Sequence, residues 1–152
     1  MSLPLTPDER ARLRTARIRL ADVPALPVDR LAAALEVPAA RARDLRALAI
    51  FQTVPSLGPR FAADLLALGH HSLADLRGRS GAGLLDAHER HVGYRTDPCV
   101  EDQLRLAAYV AATGRHDRTW PAFTAERKAS RGEHGYPADR PRTHWTEVAA
   151  RA

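Results

Sequence analysis

The segment Val-Pro-Ser-Leu-Gly-Pro-Arg-Phe-Ala-Ala-Asp-Leu, residues 54–65, decides the fold. Its proline and glycine residues predict a tight turn, and Pro59 suits the first position of a helix. Phe61 and Leu65 then recur at the spacing of one helix face, and Gly69 is placed to end that helix in a left-handed conformation. The segment therefore predicts a turn that opens directly into an amphipathic helix.

Start and stop signals predict further helices on both sides of this segment. Thr6 and Glu9 form a capping-box pattern, and Asp97 and Gly114 bracket the strongest helical stretch. The predicted helices cover about 7–20, 28–36, 38–52, 59–68, 83–91 and 98–113, with a capped turn at 72–75. Hydrophobic residues make up 45% of the chain but aromatic residues only 5%, which favours close helix packing over strands. We expect an all-α protein.

A repeat with an offset of 31 residues organises the first half of the chain. Val-Pro-Ala-Leu at 23–26 aligns with Val-Pro-Ser-Leu at 54–57, and Asp-Leu-Arg at 44–46 aligns with the same triplet at 75–77. Both copies place proline at the same turn, which predicts two related helical hairpins. The predicted organisation is a basic N-terminal helix at 1–22, a tandem core at 23–114 (copies 23–53 and 54–78, closing helices 79–114) and a docking helix with a flexible tail at 115–152.

The charge balance favours a polyanionic partner. The formal net charge is +5, and residues 1–60 carry ten arginines against six acidic residues. Because 22 of the 23 basic residues are arginine, GC-rich coding also accounts for part of this excess. Arg10, Arg14 and Arg17 share one face of the first predicted helix; a solvated face is the ordinary interpretation, and additional phosphate contacts are the alternative.

A single cysteine, Cys99, excludes an intrachain disulfide, and no signal-peptide pattern or membrane-length apolar stretch is present. These features predict a cytoplasmic protein without a membrane partner. His88, His91 and Cys99 match no zinc-ligand spacing, so we expect no metal site. Cys99 lies in the first turn of a predicted helix, which favours a lowered thiol pKa, although a small packing residue is the commoner role.

Residues 54–65 resemble the hairpin of the helix-hairpin-helix family, whose pattern is an apolar residue, Pro, Gly, an apolar residue, Gly, a basic residue and a helix containing Ala and Leu. In that family, backbone amides at the start of the second helix hold a DNA phosphate. Gly58 matches the second glycine, Arg60 supplies the cation, and Ser56 replaces the first glycine. The resemblance also allows a monovalent cation on the carbonyls of the turn, and no other cofactor is expected.

A wider resemblance extends from Arg17 to about Pro141. The segments "RLADVPALP", "SLADLRG", "DPCVEDQLRLAAYVA" and "FTAERKASRGEHGYPADRP" resemble the bacterial pathogenicity-locus family of helix-hairpin-helix proteins, some of which carry mitomycin-resistance labels. This resemblance implies paired, SAM-like helical hairpins and a link to DNA repair or damage tolerance. The first copy has Pro24 and Pro27 and no glycine, so we interpret it as a structural partner of the second.

These features together predict a non-enzymatic protein that binds the DNA phosphate backbone without sequence preference. The predicted nucleic-acid-binding residues are Ser56, Leu57, Gly58, Arg60, His70, Arg127 and Lys128. The alternative is a protein-interaction or scaffold module with the same helical fold. A glycosylase of the same superfold is disfavoured, because the catalytic Lys and downstream Asp of those enzymes have no counterpart here. Trp120 and Phe123 are expected to pin the C-terminal segment to the protein rather than to stack on bases.

Overall fold

Every regular element of the computed structural model, which describes residues 1–152, is helical, and the predicted all-α class is confirmed. The α-helices are α1 (Pro7–Thr15), α2 (Val28–Leu35), α3 (Ala39–Phe51), α4 (Pro59–Ala67), α5 (Gly81–Val92), α6 (Pro98–Thr113), α7 (Thr124–His134) and α8 (Trp145–Arg151). Three 3₁₀ helices lie at Leu20–Ala25, Leu73–Leu76 and Trp120–Phe123. The chain divides into two compact units, Met1–Asp75 and Leu76–Ala152. None of the helices combines the length and the apolar composition required to cross a membrane.

The first unit is built around α3, which packs against α2, α4 and the first 3₁₀ helix, while α1 packs on α2. The buried apolar residues of this unit include Leu13, Val23, Leu31, Leu35, Leu45, Leu48, Phe51, Leu57, Phe61 and Leu65. Arg41 on α3 forms hydrogen bonds with the Glu9 carboxylate and with the Pro4 carbonyl oxygen, which fixes the N-terminal segment. The apolar periodicity of the sequence therefore reappears as one packed core.

The start of α1 agrees with its sequence signals, and its end does not. Thr6 and Glu9 form the predicted capping box. The helix ends at Thr15 instead of continuing to Leu20, because Arg17 adopts a left-handed conformation with φ of 56°. The next residues then enter the 3₁₀ helix instead of a simple break before Pro24.

The repeat is visible at its turns and at the helices that follow them. Val23 and Val54 are both buried, and α2 and α4 begin at N-cap residues Pro27 and Gly58, which are 31 positions apart. The Asp-Leu-Arg triplet differs between the two copies, since residues 44–46 lie inside α3 whereas residues 75–77 lie at the end of a 3₁₀ helix and the turn after it. The structural similarity thus covers the turn and the next helix only.

The second unit is built on the close contact of α5 with α6. The apolar core of this unit consists of Leu76, Leu84, Leu85, Leu104, Leu106, Val110 and Phe123, with small residues between them. A Cβ atom on Gly81 would lie 2.3 Å from Cγ of Arg105, so glycine is what allows the two helices to approach. Asp97 caps α6 and Gly114 ends it with φ of 68°, as the sequence predicts.

Residues 137–152, the last part of the predicted docking helix and flexible tail, form hydrogen bonds with the loop between α5 and α6. Arg95 donates from its side chain to the Pro141 carbonyl oxygen at 2.7 Å and from its amide to the Thr143 carbonyl oxygen at 2.8 Å. Trp145 donates its amide to the Arg95 carbonyl oxygen at 2.7 Å and begins α8. The polar residues of this segment make long-range contacts that its composition does not reveal.

Candidate functional site

The turn between α3 and α4 is held by two buried side chains and by a left-handed residue. Val54 and Leu57 are 2% and 6% exposed, and the Leu57 amide donates to the Val54 carbonyl oxygen at 3.2 Å. Ser56 lies between them with φ of 62°, the region that favours glycine. Serine therefore takes the left-handed position of the turn in place of the first glycine of the sequence pattern.

Gly58 is the N-cap of α4 and leaves the start of the helix open. Its backbone is extended, with φ of −91° and ψ of 179°, and no side chain caps the helix. A Cβ atom at Gly58 would meet nothing within 4 Å, so neither conformation nor internal packing requires glycine here. Pro59 follows at the first helical position, where its missing amide proton is no loss. The remaining first-turn amides and the positive end of the helix dipole can attract an anion at this point.

Arg60 stands beside this helix start with its charge uncompensated. The side chain is exposed, and no hydrogen bond or ion pair engages the guanidinium group. The first turn of α4 contains no acidic residue. Because an arginine and a helix N-terminus both favour an anion, their positions on one helix turn reinforce each other.

Leu57 and His70 lie inside the first unit rather than on its surface. The Leu57 side chain fills the core below the turn, and its amide is already engaged within the turn. His70 is 7% exposed, and its amide donates to the Leu65 carbonyl oxygen at 3.2 Å. Leu57 and His70 are therefore covered by the protein, whereas Ser56, Gly58 and Arg60 are exposed.

Arg127 and Lys128 belong to α7 in the second unit, and they differ in exposure and in ion pairing. The Arg127 side chain is 13% exposed and donates from Nε to Asp102 Oδ1 at 2.7 Å. The pKa of Arg127 is raised, chiefly by this hydrogen bond to Asp102. Lys128 is exposed, with no partner among the side chains of the protein. Of the pair, only the lysine presents a free cation.

A family model described as "Pathogenicity locus" matches residues 44–129, which is more than half of the chain. The chain belongs to the pathogenicity-locus family. In this pathogenicity-locus protein, the matched segment begins within α3, includes the turn at Gly58 and ends within α7. A comparison with curated proteins and one with solved structures each find no match.

The pathogenicity-locus protein also contains a group of charged residues that sequence reasoning missed, which we name the buried charge cluster. Its members are Asp86, Glu89, Glu101, Asp102, Arg105, Arg127, Arg131 and Arg140. Arg131 donates to Glu101 and to Asp86 at 2.9 Å each, and Arg140 donates to Glu89 at 2.6 Å. Two of these guanidinium groups lie over the ring of Tyr136. The distance from Cζ to the ring centroid is 4.2 Å for Arg131 and 3.6 Å for Arg140.

One carboxylate of the buried charge cluster, that of Glu89, has a lowered pKa. Burial raises the pKa of Glu89, but hydrogen bonds from Arg140 and from the Thr96 amide outweigh this effect, and the net pKa is lowered. Most of these ion pairs join residues 21 to 51 positions apart, so no local spacing could have indicated them. The cluster attaches α7 and the C-terminal segment to α5 and α6.

Cys99 departs from the lowered thiol pKa that its position suggested. Its pKa is raised, first by a hydrogen bond with Asp97, then by burial and by the negative charge of the same carboxylate. Asp97 is the N-cap of α6 and accepts from the Cys99 amide at 2.8 Å, so the capping residue that starts the helix also opposes the thiolate. The structure brings no three His, Cys, Asp or Glu side chains into an arrangement that could hold a metal ion.

Proposed function

We propose that the pathogenicity-locus protein is a non-enzymatic DNA-binding protein that acts in the cytoplasm and contacts the phosphate backbone through a helix-hairpin-helix motif formed by α3, its turn and α4. The observation that supports this proposal is the exposed, uncapped start of α4 beside the unpaired guanidinium of Arg60. A role in DNA repair or damage tolerance, including mitomycin resistance, belongs to the same proposal.

The chemistry of this helix start suits a phosphate better than it suits a base. Backbone amides and an arginine donate to phosphate oxygens, which are the same in every nucleotide. Such contacts are charge-assisted, and each contributes about 1.5–3 kcal/mol. Binding should therefore be independent of sequence and should weaken steeply as the salt concentration rises. A monovalent cation on the carbonyls of the turn would bring a further positive charge to the same place.

The two repeat copies differ at the positions that a phosphate would touch. The second copy has Gly58 at the N-cap and Arg60 two residues later, whereas the first has Pro27 and Asp29 at the equivalent positions. Asp29 is exposed, and its carboxylate in the first turn of α2 repels an anion. This difference supports one phosphate-binding hairpin rather than two.

The test is a comparison of two double variants with the same change of charge. Gly58→Asp with Arg60→Glu gives α4 its own capping carboxylate and reverses the neighbouring charge. Pro27→Asp with Arg30→Glu makes the matched change at α2, where Arg30 is exposed and has no partner. Fluorescence anisotropy at low salt, on duplex, nicked and single-stranded DNA, should give a loss of affinity of at least about tenfold for the first variant only.

Two results would contradict the proposal. The first is no binding of the wild-type protein to any of these DNAs at low salt. The second is an equal loss of affinity in both double variants, since that would reflect net charge alone. Circular dichroism should show both variants folded, because Gly58 has open space around its Cα atom and Asp is a favourable N-cap residue. Wild-type protein that binds no DNA but captures a discrete protein partner would favour the scaffold alternative.

A further inference from the structure

The arginines of α1 and its C-terminal turn fall into two groups according to their partners. Arg12 donates to the Leu35 carbonyl oxygen and pairs with Glu36 at 3.2 Å, and Arg19 pairs with Asp22 at 2.9 Å. The other group consists of Arg10, Arg14 and Arg17, which are exposed and have neither a hydrogen bond nor an ion pair from their side chains. We name this second group the α1 arginine face; Arg10 and Arg14 lie on α1 itself, and Arg17 lies two residues after its end.

The geometry of α1 keeps acidic residues away from this face. Arg10 and Arg14 are one turn apart, separated by about 6 Å along the axis and by about 40° around it. Asp8 lies about 160° from Arg10 and about 120° from Arg14 around the same helix. The other carboxylate of the first turn, Glu9, is 5% exposed and is bound by Arg41. The positive charge of the face is therefore not neutralised by its own helix.

Arg17 occupies a position that would be more stable with glycine. Its φ is 56°, and its amide donates to the Arg14 carbonyl oxygen at 3.0 Å, while the Ile18 amide donates to the Leu13 carbonyl oxygen at 2.9 Å. This pair of hydrogen bonds is the Schellman arrangement, in which glycine is the usual residue at the left-handed position. The Arg17 side chain forms no hydrogen bond or ion pair within the protein that would offset the strain.

We infer that the α1 arginine face is a second surface for nucleic-acid phosphates, an inference that rests on the proposed function of the hairpin. Successive phosphates of one DNA strand are about 3.4 Å apart along the duplex axis, so the rise from Arg10 to Arg14 corresponds to about two nucleotides. The face contains only arginine as its charged group, which suits phosphate oxygens. The hairpin holds one phosphate at a fixed point, and the face adds contacts that depend strongly on salt.

The experiment measures how the DNA affinity changes with salt concentration. Each phosphate contact contributes about 0.9 to the slope of log K against log salt concentration for duplex DNA. The variant Arg10→Gln, Arg14→Gln, Arg17→Gln should lower the magnitude of this slope by about 2.7 on a labelled duplex of mixed sequence. The control, Arg30→Gln, Arg142→Gln, Arg151→Gln, removes the same charge from exposed, unpartnered arginines elsewhere and should change the slope by less than about 1.

The outcomes separate this inference from the proposed function. Wild-type protein that binds no duplex DNA overturns both. Wild-type binding that depends on Gly58 and Arg60, with equal slopes for the two triple variants, overturns the α1 arginine face and leaves the hairpin. Vesicles containing anionic phospholipid serve as a second probe. If the variant Arg10→Gln, Arg14→Gln, Arg17→Gln loses vesicle binding but keeps the salt slope of the wild type on DNA, the face binds a lipid surface and the inference is overturned.

Discussion

Glu89 is a negatively charged residue buried in the second unit. Its side chain is 1% exposed, yet it accepts hydrogen bonds from Arg140 at 2.6 and 2.9 Å and from the Thr96 amide at 2.9 Å. A buried carboxylate is stable only while such partners remain, since removing one partner leaves an uncompensated charge in an apolar environment. The ion pair is therefore a point at which a single substitution should be costly.

Replacing Arg140 with methionine should lower the free energy of unfolding by about 3 kcal/mol at pH 7. The loss should be smaller near pH 4, because burial raises the pKa of a Glu89 that has lost its arginine, so its carboxyl becomes protonated above the ordinary value of about 4.3. Urea denaturation at the two pH values measures both effects. Arg90→Met is the control, since Arg90 pairs with Asp139 on the surface and its removal should have little effect. Equal losses in the two variants would show that burial of Glu89 is not what matters.

Single residues also show where sequence reasoning reaches its limit. Position in the first turn of a helix favours a lowered pKa for Cys99, yet the adjacent capping residue Asp97 raises it. The same aspartate was correctly predicted as the cap of α6. The start of α6 was thus predictable from residue type and spacing. The direction of the pKa shift of Cys99 depended instead on the distance between the side chains of Asp97 and Cys99.

Helix boundaries were predictable where a capping residue or a glycine marks them in the sequence. Thr6, Pro59 and Asp97 mark starts that the structure confirms, because capping uses residues within three positions of each other. The end of α1 was missed because Arg17 takes the left-handed position at which glycine is the usual signal. For the candidate site, the sequence indicated the exposed Gly58 and Arg60 but not that His70 is buried.

The contact of α5 with α6 depends on Gly81, and this dependence gives a prediction for a helix pair. A Cβ atom at Gly81 would lie 2.6 Å from Cα and 2.7 Å from the amide nitrogen of Arg105, so the backbones would have to separate. Gly81→Ala should therefore cost about 1–3 kcal/mol of stability, despite the better helix propensity of alanine.

Gly132→Ala is the matched control for that prediction. Gly132 lies within α7, and a Cβ atom there would meet nothing within 4 Å. This substitution should raise stability by up to about 1 kcal/mol through helix propensity alone. Thermal unfolding of the two variants should shift in opposite directions. A stabilising effect of both would show that α5 and α6 can accommodate a methyl group at their contact.

At the scale of the whole molecule, arginines serve two purposes: some bind carboxylates, and others have no ion-pair partner. In the second unit, arginines bind buried carboxylates and hold the C-terminal segment in place. In the first unit, six arginines have no ion-pair partner, namely Arg10, Arg14, Arg17, Arg30, Arg46 and Arg60. The formal net charge does not distinguish these two kinds of arginine, because a buried, paired arginine and an exposed, unpaired one each add one positive charge. This is why the composition favoured a polyanionic partner without indicating which arginines could reach it.

The two units also differ in their optical signals, because every tryptophan and tyrosine lies in the second unit. Trp120 and Trp145 make intrinsic fluorescence a report on Leu76–Ala152, whereas far-ultraviolet circular dichroism reports on both units. One buried carboxylate with a lowered pKa is present in each. A hydrogen bond from Arg41 lowers the pKa of Glu9, and the Arg140 hydrogen bond lowers that of Glu89 against the effect of burial.

These two carboxylates predict how stability depends on pH. Because each has a lower pKa folded than unfolded, its contribution is complete above the unfolded value of about 4.3 and is lost as the pH falls through the folded value. Urea midpoints should therefore decrease below about pH 4. Glu89→Gln should flatten this decrease when fluorescence is the signal, and Glu9→Gln should flatten it only in circular dichroism. A wild-type midpoint that stays constant down to pH 3 would contradict both assignments, since neither carboxylate would then gain stability from its arginine.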